Sequence, residues 1–201
     1  MNEQGSEEWF NNRLCYATAS NFHKILAKGA GKTRATYIQQ LVVERLTGKP
    51  TDGHSSAHMD RGTEQEPFAR LAYESATGNI VEETGFLKID GKMIGGSPDG
   101  LIDDDGGCEI KSRLPHIQLE TIKKGGYPSG NVAQVQGLLW ITGRSWWDYV
   151  SYSQDLPENL QLYIFRVQRD EEYIKNLHAE VNVFLTEVSA LETQWRNYDG
   201  K

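Results

Sequence analysis

The 201-residue chain carries 28 acidic and 21 basic side chains, a formal net charge of −7, with 38% hydrophobic and 10% aromatic residues. That balance excludes disorder and suits one domain over residues 1–201 with a core of its own. Two cysteines, Cys15 and Cys108, exclude a disulfide scaffold, an all-Cys zinc site and an iron–sulfur cluster. No apolar run reaches the roughly 20 residues of a membrane span and residues 1–30 hold no signal-like apolar stretch, so a cytoplasmic protein without a membrane partner is expected.

Helical patterning opens the chain. Ser6 followed by Glu7 and Glu8 predicts a capped start, with Trp9 and Arg13 one turn apart. A second helix is expected from Thr18–Ser20, carrying Phe22, Ile25 and Leu26 to a stop at Gly29. A third fits residues 33–47 with Tyr37, Leu41, Val42 and Leu46 as its apolar stripe, and Gly48 to His58 reads as a loop. A fourth runs over 64–77, burying Phe68, Leu71 and Ala72, and Gly78 ends it. The period then changes. Residues 80–81, 86–89, 93–96, 101–102 and 108–111 read as short strands, with Asp90-Gly91 as a hairpin signal. A helix carrying Val132, Val135, Leu138, Leu139 and Ile141 follows, then strands at 146–152 and 162–167 and an amphipathic helix over 170–195. Helices, a mostly antiparallel meander and mixed elements imply an α/β or α+β layer fold.

The charge is segregated. Residues 11–50 hold seven basic side chains and one acid, a local +6, whereas residues 148–201 hold ten acids and five bases, a local −5. The overall acidity therefore does not exclude nucleic acid: the reading is that Arg13, Lys24, Lys28 and Lys32 line a path for it while the remaining exterior is negative.

The segment Gly96-Ser97-Pro98-Asp99-Gly100, followed by Cys108-Glu109-Ile110-Lys111, carries the chemistry. Alternation along a strand points Glu109 and Lys111 to one face and Ile110 to the core, and a hairpin brings Asp99 beside Glu109. Two carboxylates there make a hard-oxygen site suited to Mg²⁺, and a neighbouring Lys orients water or stabilises phosphate charge; this is the chemistry of metal-assisted phosphodiester hydrolysis. Acid-x-Lys triplets also arise by chance: Asp90-Gly91-Lys92 lies on the predicted turn, and a surface salt bridge is the plain alternative for Glu109 and Lys111. His23, His54, His58, His116 and His178 show no metal-ligand spacing.

Further signatures stand in order along the chain: Trp9 with Arg13 and Thr18-Ala19-Ser20; Arg61-Gly62-Thr63-Glu64-Gln65-Glu66; Ser97-Pro98-Asp99-Gly100 with Glu109-Ile110-Lys111; and Ala133-Gln134-Val135-Gln136 with Trp140. The layout resembles the phage lambda exonuclease family, the YqaJ-type viral recombinases, within the PD-(D/E)xK nuclease superfamily. The resemblance implies a restriction-endonuclease-like core, a central mixed β-sheet flanked by helices. It implies that Asp99, Glu109, the Ile110 carbonyl and Glu66 bind metal, two Mg²⁺ per site with Mn²⁺ as a substitute. Lys111 would act on the attacking water, and Gln134 would lie at the site's edge. Arg13 and Ser20 would hold a DNA 5′-phosphate, and Met59 would wedge the strands apart. The implied activity is 5′-to-3′ digestion of one strand of linear duplex DNA by a homotrimeric ring, leaving 3′ tails for a single-strand annealing protein. The plain alternatives are a solvent-facing Glu66, an Arg13 paired with Glu7 or Glu8, a packing role for Met59, and either a site or a packing role for Gln136. A restriction-type endonuclease and a catalytically silent DNA-binding or assembly protein use the same core.

Overall fold

The computed structural model describes residues 6–27, 32–51 and 57–200. Ser6 caps α1 (Glu7–Arg13), accepting the Trp9 N–H at 3.2 Å. Thr18 belongs to a short strand, β1 (Ala17–Thr18), followed by a 3-10 turn (Ala19–Asn21) and one helical turn, α2 (Phe22–Ile25). The expected second helix is therefore shorter at both ends, because β1 pairs in parallel with a strand far along the chain. Phe22 and Ile25 are buried as expected, and Gly29 lies outside the described residues. Helix α3 (Lys32–Thr47) buries Tyr37, Leu41 and Val42 but leaves Leu46 exposed.

Helix α4 (Ala57–Thr77) starts earlier than expected and shows the opposite stripe: Ala69 and Tyr73 are buried, while Phe68 and Leu71 are 54% and 63% exposed. Phe68, Leu71 and Ala72 have the same i, i+3, i+4 spacing as Ala69, Ala72 and Tyr73, so periodicity alone allows both faces. The tertiary partner decides. Tyr73 donates to the buried Asp148 at 2.6 Å, and Ala69 lets the helix lie close to the sheet.

Strands β2 (Leu87–Lys88) and β3 (Ile94–Gly96) form the hairpin at Asp90-Gly91, where Gly91 has φ 68°. Together with β1 they make a small mixed sheet in the order β1-β3-β2. The larger sheet contains β4 (Gly100–Ile102), β5 (Gly106–Ser112), β6 (Trp146–Tyr152) and β7 (Leu162–Gln168), in that spatial order. It is mixed: β5 and β6 run parallel and the outer pairs antiparallel, so the meander is interrupted by a crossover. Gly106 and Gly107 sit opposite Trp146 and Trp147, whose rings occupy the space their Cβ atoms would take.

The crossover holds α5 (Pro115–Lys124) and α6 (Ser129–Thr142). Helix α5 was not expected, because its buried face is polar: Gln118 donates to the Ser151 and Gln161 carbonyls and accepts from the Ser151 hydroxyl. A short α7 (Glu158–Gln161) precedes β7, and α8 (Glu171–Arg196) closes the chain behind the Asp170 cap. One core layer packs α2, α3, α6 and α8 on the Trp147 and Tyr149 face; the other packs α4 over Cys108, Ile110, Val150 and Tyr152.

The two charge blocks meet. Arg34 of the basic front holds Glu187 of α8 with bonds of 2.5 and 2.9 Å, and Arg45 holds Glu192 at 3.3 Å. Two of the seven basic side chains of the front, Arg34 and Arg45, are therefore neutralised by the tail helix, so the local +6 overstates the charge the front presents. The exposed Arg34–Glu187 pair contributes little. Arg34→Met is expected to change unfolding free energy by under about 1 kcal/mol, checked by urea denaturation.

Candidate active site

Strand β4 ends the site's geometry before any side chain does. It pairs with β5 only as far as Cys108, so the β5 edge beyond is open to other partners. Asp99, one residue before β4, takes the first of them: its Oδ2 accepts the Ile110 N–H at 2.7 Å. A strand residue directs its N–H and C=O to the same side, so the Ile110 carbonyl also faces Asp99. On β5 itself, Glu109 and Lys111 share a face, and the Lys111 ammonium donates to Glu109 Oε1. From the α6 side, Gln134 Nε2 donates to the same oxygen. Glu109 Oε2 is buried with no hydrogen-bond partner.

Glu66 approaches from α4. It is half-buried and bonded to Arg70 at 2.8 Å, one turn on, whereas Glu64 is exposed. Arg70 also pairs with Glu83. Arg70 was not singled out from the sequence; the available signal was its i, i+4 spacing from Glu66.

The carboxylates repel one another. Burial, then the charge of Asp99, pushes Glu109 up to about 7 despite Lys111. Burial also raises Asp99, opposed by Lys111 and the Ile110 N–H, and burial with Asp99 raises Glu66, opposed by Arg70. Burial works against charge on Lys111, yet Glu109 and Asp99 outweigh it and hold the lysine above its ordinary value. The site is an anionic cluster short of positive charge. Among the described residues no three His, Cys, Asp or Glu side chains form a ready-made cation cage. The orphaned Glu109 oxygen beside Asp99 and the Ile110 carbonyl instead fit a hard cation that takes one or two carboxylates and completes its shell with water or substrate oxygens.

Arg13 and Ser20 are brought together. Arg13 donates to the Ser20 hydroxyl at 3.2 Å, its guanidinium lies 3.9 Å over the Trp9 ring, and Ser20 adjoins Thr18 at 3.3 Å. Arg13 lines a cavity of about 150 Å³ with Thr18, Asn21 and Tyr37. Because β1, which lies between Arg13 and Ser20, pairs with β3, this corner stands beside the strand that leads into Ser97-Pro98-Asp99. Gln136 takes the packing role: it is buried, donates to the Gln168 carbonyl at 2.9 Å and accepts the Asp170 N–H at 3.0 Å, fastening α6 to the turn before α8. Met59 falls on the first turn of α4, but its side chain, like Lys28 and His54, lies outside the described residues.

The model of the YqaJ-like viral recombinase domain matches residues 8–145. The alkaline exonuclease LHK-Exo of Laribacter hongkongensis superposes with a TM-score of 0.89 at 38% identity, covering 95% of this chain and 96% of that one. The same protein in complex with dAMP matches at 39% identity, with the same TM-score and coverage. A phage-related exonuclease from Haemophilus somnus 129PT shares the fold, with a TM-score of 0.72 at 15% identity over 90% of this chain and 96% of that one. No curated protein matches the sequence.

Proposed function

The chain belongs to the YqaJ-like viral recombinase family and is a nuclease of the alkaline-exonuclease type acting on DNA, and from that premise we propose that it digests one strand of linear duplex DNA from the 5′ end with Mg²⁺. The observation that carries the reading is the paired Asp99 and Glu109 with Lys111 in contact, at an open strand edge.

Asp99, Glu109 and the Ile110 carbonyl, with Glu66 from α4, would hold the divalent cation, two ions per site being the reading for this cluster. Bound there, Mg²⁺ supplies positive charge to the scissile phosphate and acidifies water. Lys111 acts as an ammonium donor, orienting the attacking water and stabilising charge that develops on phosphate. Gln134 fixes Glu109 Oε1, so the orphaned Oε2 stays directed to the site. Arg70 restrains Glu66 and lowers its carboxyl against burial and Asp99.

Arg13 and Ser20 would hold the terminal 5′-phosphate, a planar guanidinium and a hydroxyl being matched to its oxygens. Met59 would act as the strand-separating wedge. The dAMP complex of LHK-Exo supports a nucleoside monophosphate as the leaving product. The homotrimeric ring rests on the family resemblance and on the exposed apolar Phe68, Leu71 and Ile80, which suit a subunit contact. A single-strand annealing protein would take the 3′ tail.

The test is a substrate comparison. Linear duplex with a 5′-phosphate should be degraded in Mg²⁺ and spared in EDTA, with the labelled 3′ strand surviving and a covalently closed circle intact. Loss of the 3′ strand first reverses the polarity, and cutting of the circle replaces the exonuclease with an endonuclease. A solution mass other than three chains removes the ring.

A further inference from the structure

Arg113 stands two residues beyond Lys111. Its N–H bonds to the Tyr152 carbonyl at 2.7 Å and so prolongs the β5–β6 pairing past Ser112. The strand alternation therefore continues: Glu109, Lys111 and Arg113 fall on one face, the face that carries Tyr149 and meets α6. Helix α6 matches this row, for Gln134 bonds Glu109 and Asn131, one turn earlier, bonds Arg113 at 3.3 Å.

The partners of Arg113 are neutral. It donates to the Asn131 carboxamide oxygen and, at 2.8 Å, to the Tyr149 hydroxyl, while its Nε is buried without a hydrogen-bond partner. Arg34, Arg45, Arg70, Arg166, Arg169 and Arg196 each hold a carboxylate. Among the described residues Arg113 has none. Its guanidinium is thus positioned by fixed groups but not compensated in charge, and a buried unpaired N–H is costly unless something accepts it.

Space for an acceptor adjoins it. A cavity of about 470 Å³ lies between α5 and α6, lined by Arg113, Lys124, Tyr127, Ser129, Asn131 and the Glu120 that pairs with Lys124 at 3.6 Å. That volume accommodates a nucleotide unit. The first turn of α6, which follows Pro128 and has no side-chain cap, adds a favourable potential for an anion.

We propose that Arg113, with Asn131 and this cavity, is a phosphate-binding subsite that takes a DNA backbone phosphate neighbouring the scissile one. The inference rests on the nuclease reading above and adds to it a residue outside the carboxylate–lysine cluster. Arg113 is a positioning residue: it sets the register of the strand along β5 so that the reacting phosphate stands at Glu109 and Lys111.

The test uses the full chain with Arg113→Gln and Arg113→Lys, on 5′-phosphorylated linear duplex across a salt series. Arg113→Gln is expected to raise KM about tenfold, with kcat falling less than about threefold, and to lower the slope of log affinity against log salt by about 1. Arg113→Lys should retain the slope while KM rises less, because a point charge replaces the fork. Digestion by the wild type with KM and slope unchanged in Arg113→Gln overturns the subsite. So does a loss confined to kcat. Should Arg113→Gln fail to fold, a wild-type KM in Arg113→Lys overturns it equally. Weakened product inhibition by dAMP with an unchanged duplex KM would assign the cavity to released mononucleotide and overturn the backbone assignment. A wild type that leaves duplex DNA intact refutes the nuclease reading instead.

Discussion

Lys111→Ala is expected to lower kcat for digestion of linear duplex by about two to four orders of magnitude while the fold is retained. The reason lies in the charge arrangement of the site. Lys111 is the cation in direct contact with Glu109, and it also offsets Asp99. Its own charge is secured by those carboxylates against the effect of burial, so it meets the phosphate as an ammonium. Alanine removes both the donor that orients the water and the charge that stabilises the developing oxyanion. Glu109→Ala should be at least as damaging, since it strips the carboxylate on which both Lys111 and Gln134 converge. Lys92→Ala is the matched control. It breaks the other acid-x-Lys triplet, on the exposed β2–β3 turn where Lys92 meets His178 at 2.9 Å, and should leave digestion unchanged. Steady-state rates on a 5′-phosphorylated duplex, with thermal melts of each variant, decide the matter. Retained activity in both Lys111→Ala and Glu109→Ala would remove the assignment.

The site was legible to the extent that it is local. Asp99 immediately precedes β4, Glu109 and Lys111 lie on β5, and the short turn joining the two strands with strand alternation suffices to bring them together. Arg13 and Ser20 are seven residues apart and meet across the short segment that contains β1. What the sequence withheld depends on distant partners. Thr18 is a strand residue only because β3 lies beside it. The buried stripe of α4 is chosen by Asp148, 75 residues from Tyr73, and α5 hides behind a polar buried face centred on Gln118. Charge blocks were legible as composition but not as fields, because Arg34 and Arg45 spend their charge on α8. Arg70 and Arg113 belong to the same class: an isolated arginine acquires meaning from its surroundings, which composition does not contain.

Metal-free protein should become less stable as pH rises from about 4.5 to about 7, and Glu109→Gln should abolish much of that loss. Glu109 has an ordinary value of 4.5 and is pushed up to about 7 by burial and by Asp99. The folded state therefore keeps the proton to higher pH than the unfolded chain does. Stability from this group is complete below about 4.5 and declines as pH climbs through that window, because the unfolded chain releases the proton first. The shift corresponds to a loss on the order of 3 kcal/mol, with Asp99 and Glu66 shifted in the same direction. Gln has the shape of Glu109 but no proton to lose, and the raised value is already net of the attraction from Lys111. In EDTA at pH 8, Glu109→Gln should thus melt several degrees above the wild type, and the two should converge near pH 5. Adding Mg²⁺ at pH 8 should narrow that gap. The cation stabilises the wild type by mass action, about 2.7 kcal/mol at a hundredfold excess over its Kd, whereas the variant lacks a charged ligand and gains less. Melting curves of both proteins at pH 5 and pH 8, with EDTA and with Mg²⁺, test each element separately. A Glu109→Gln protein less stable than wild type in EDTA at pH 8 would show that Glu109 is a satisfied structural ion pair with Lys111. A wild type indifferent to Mg²⁺ at pH 8 would show that the buried Oε2 of Glu109 does not face a cation site.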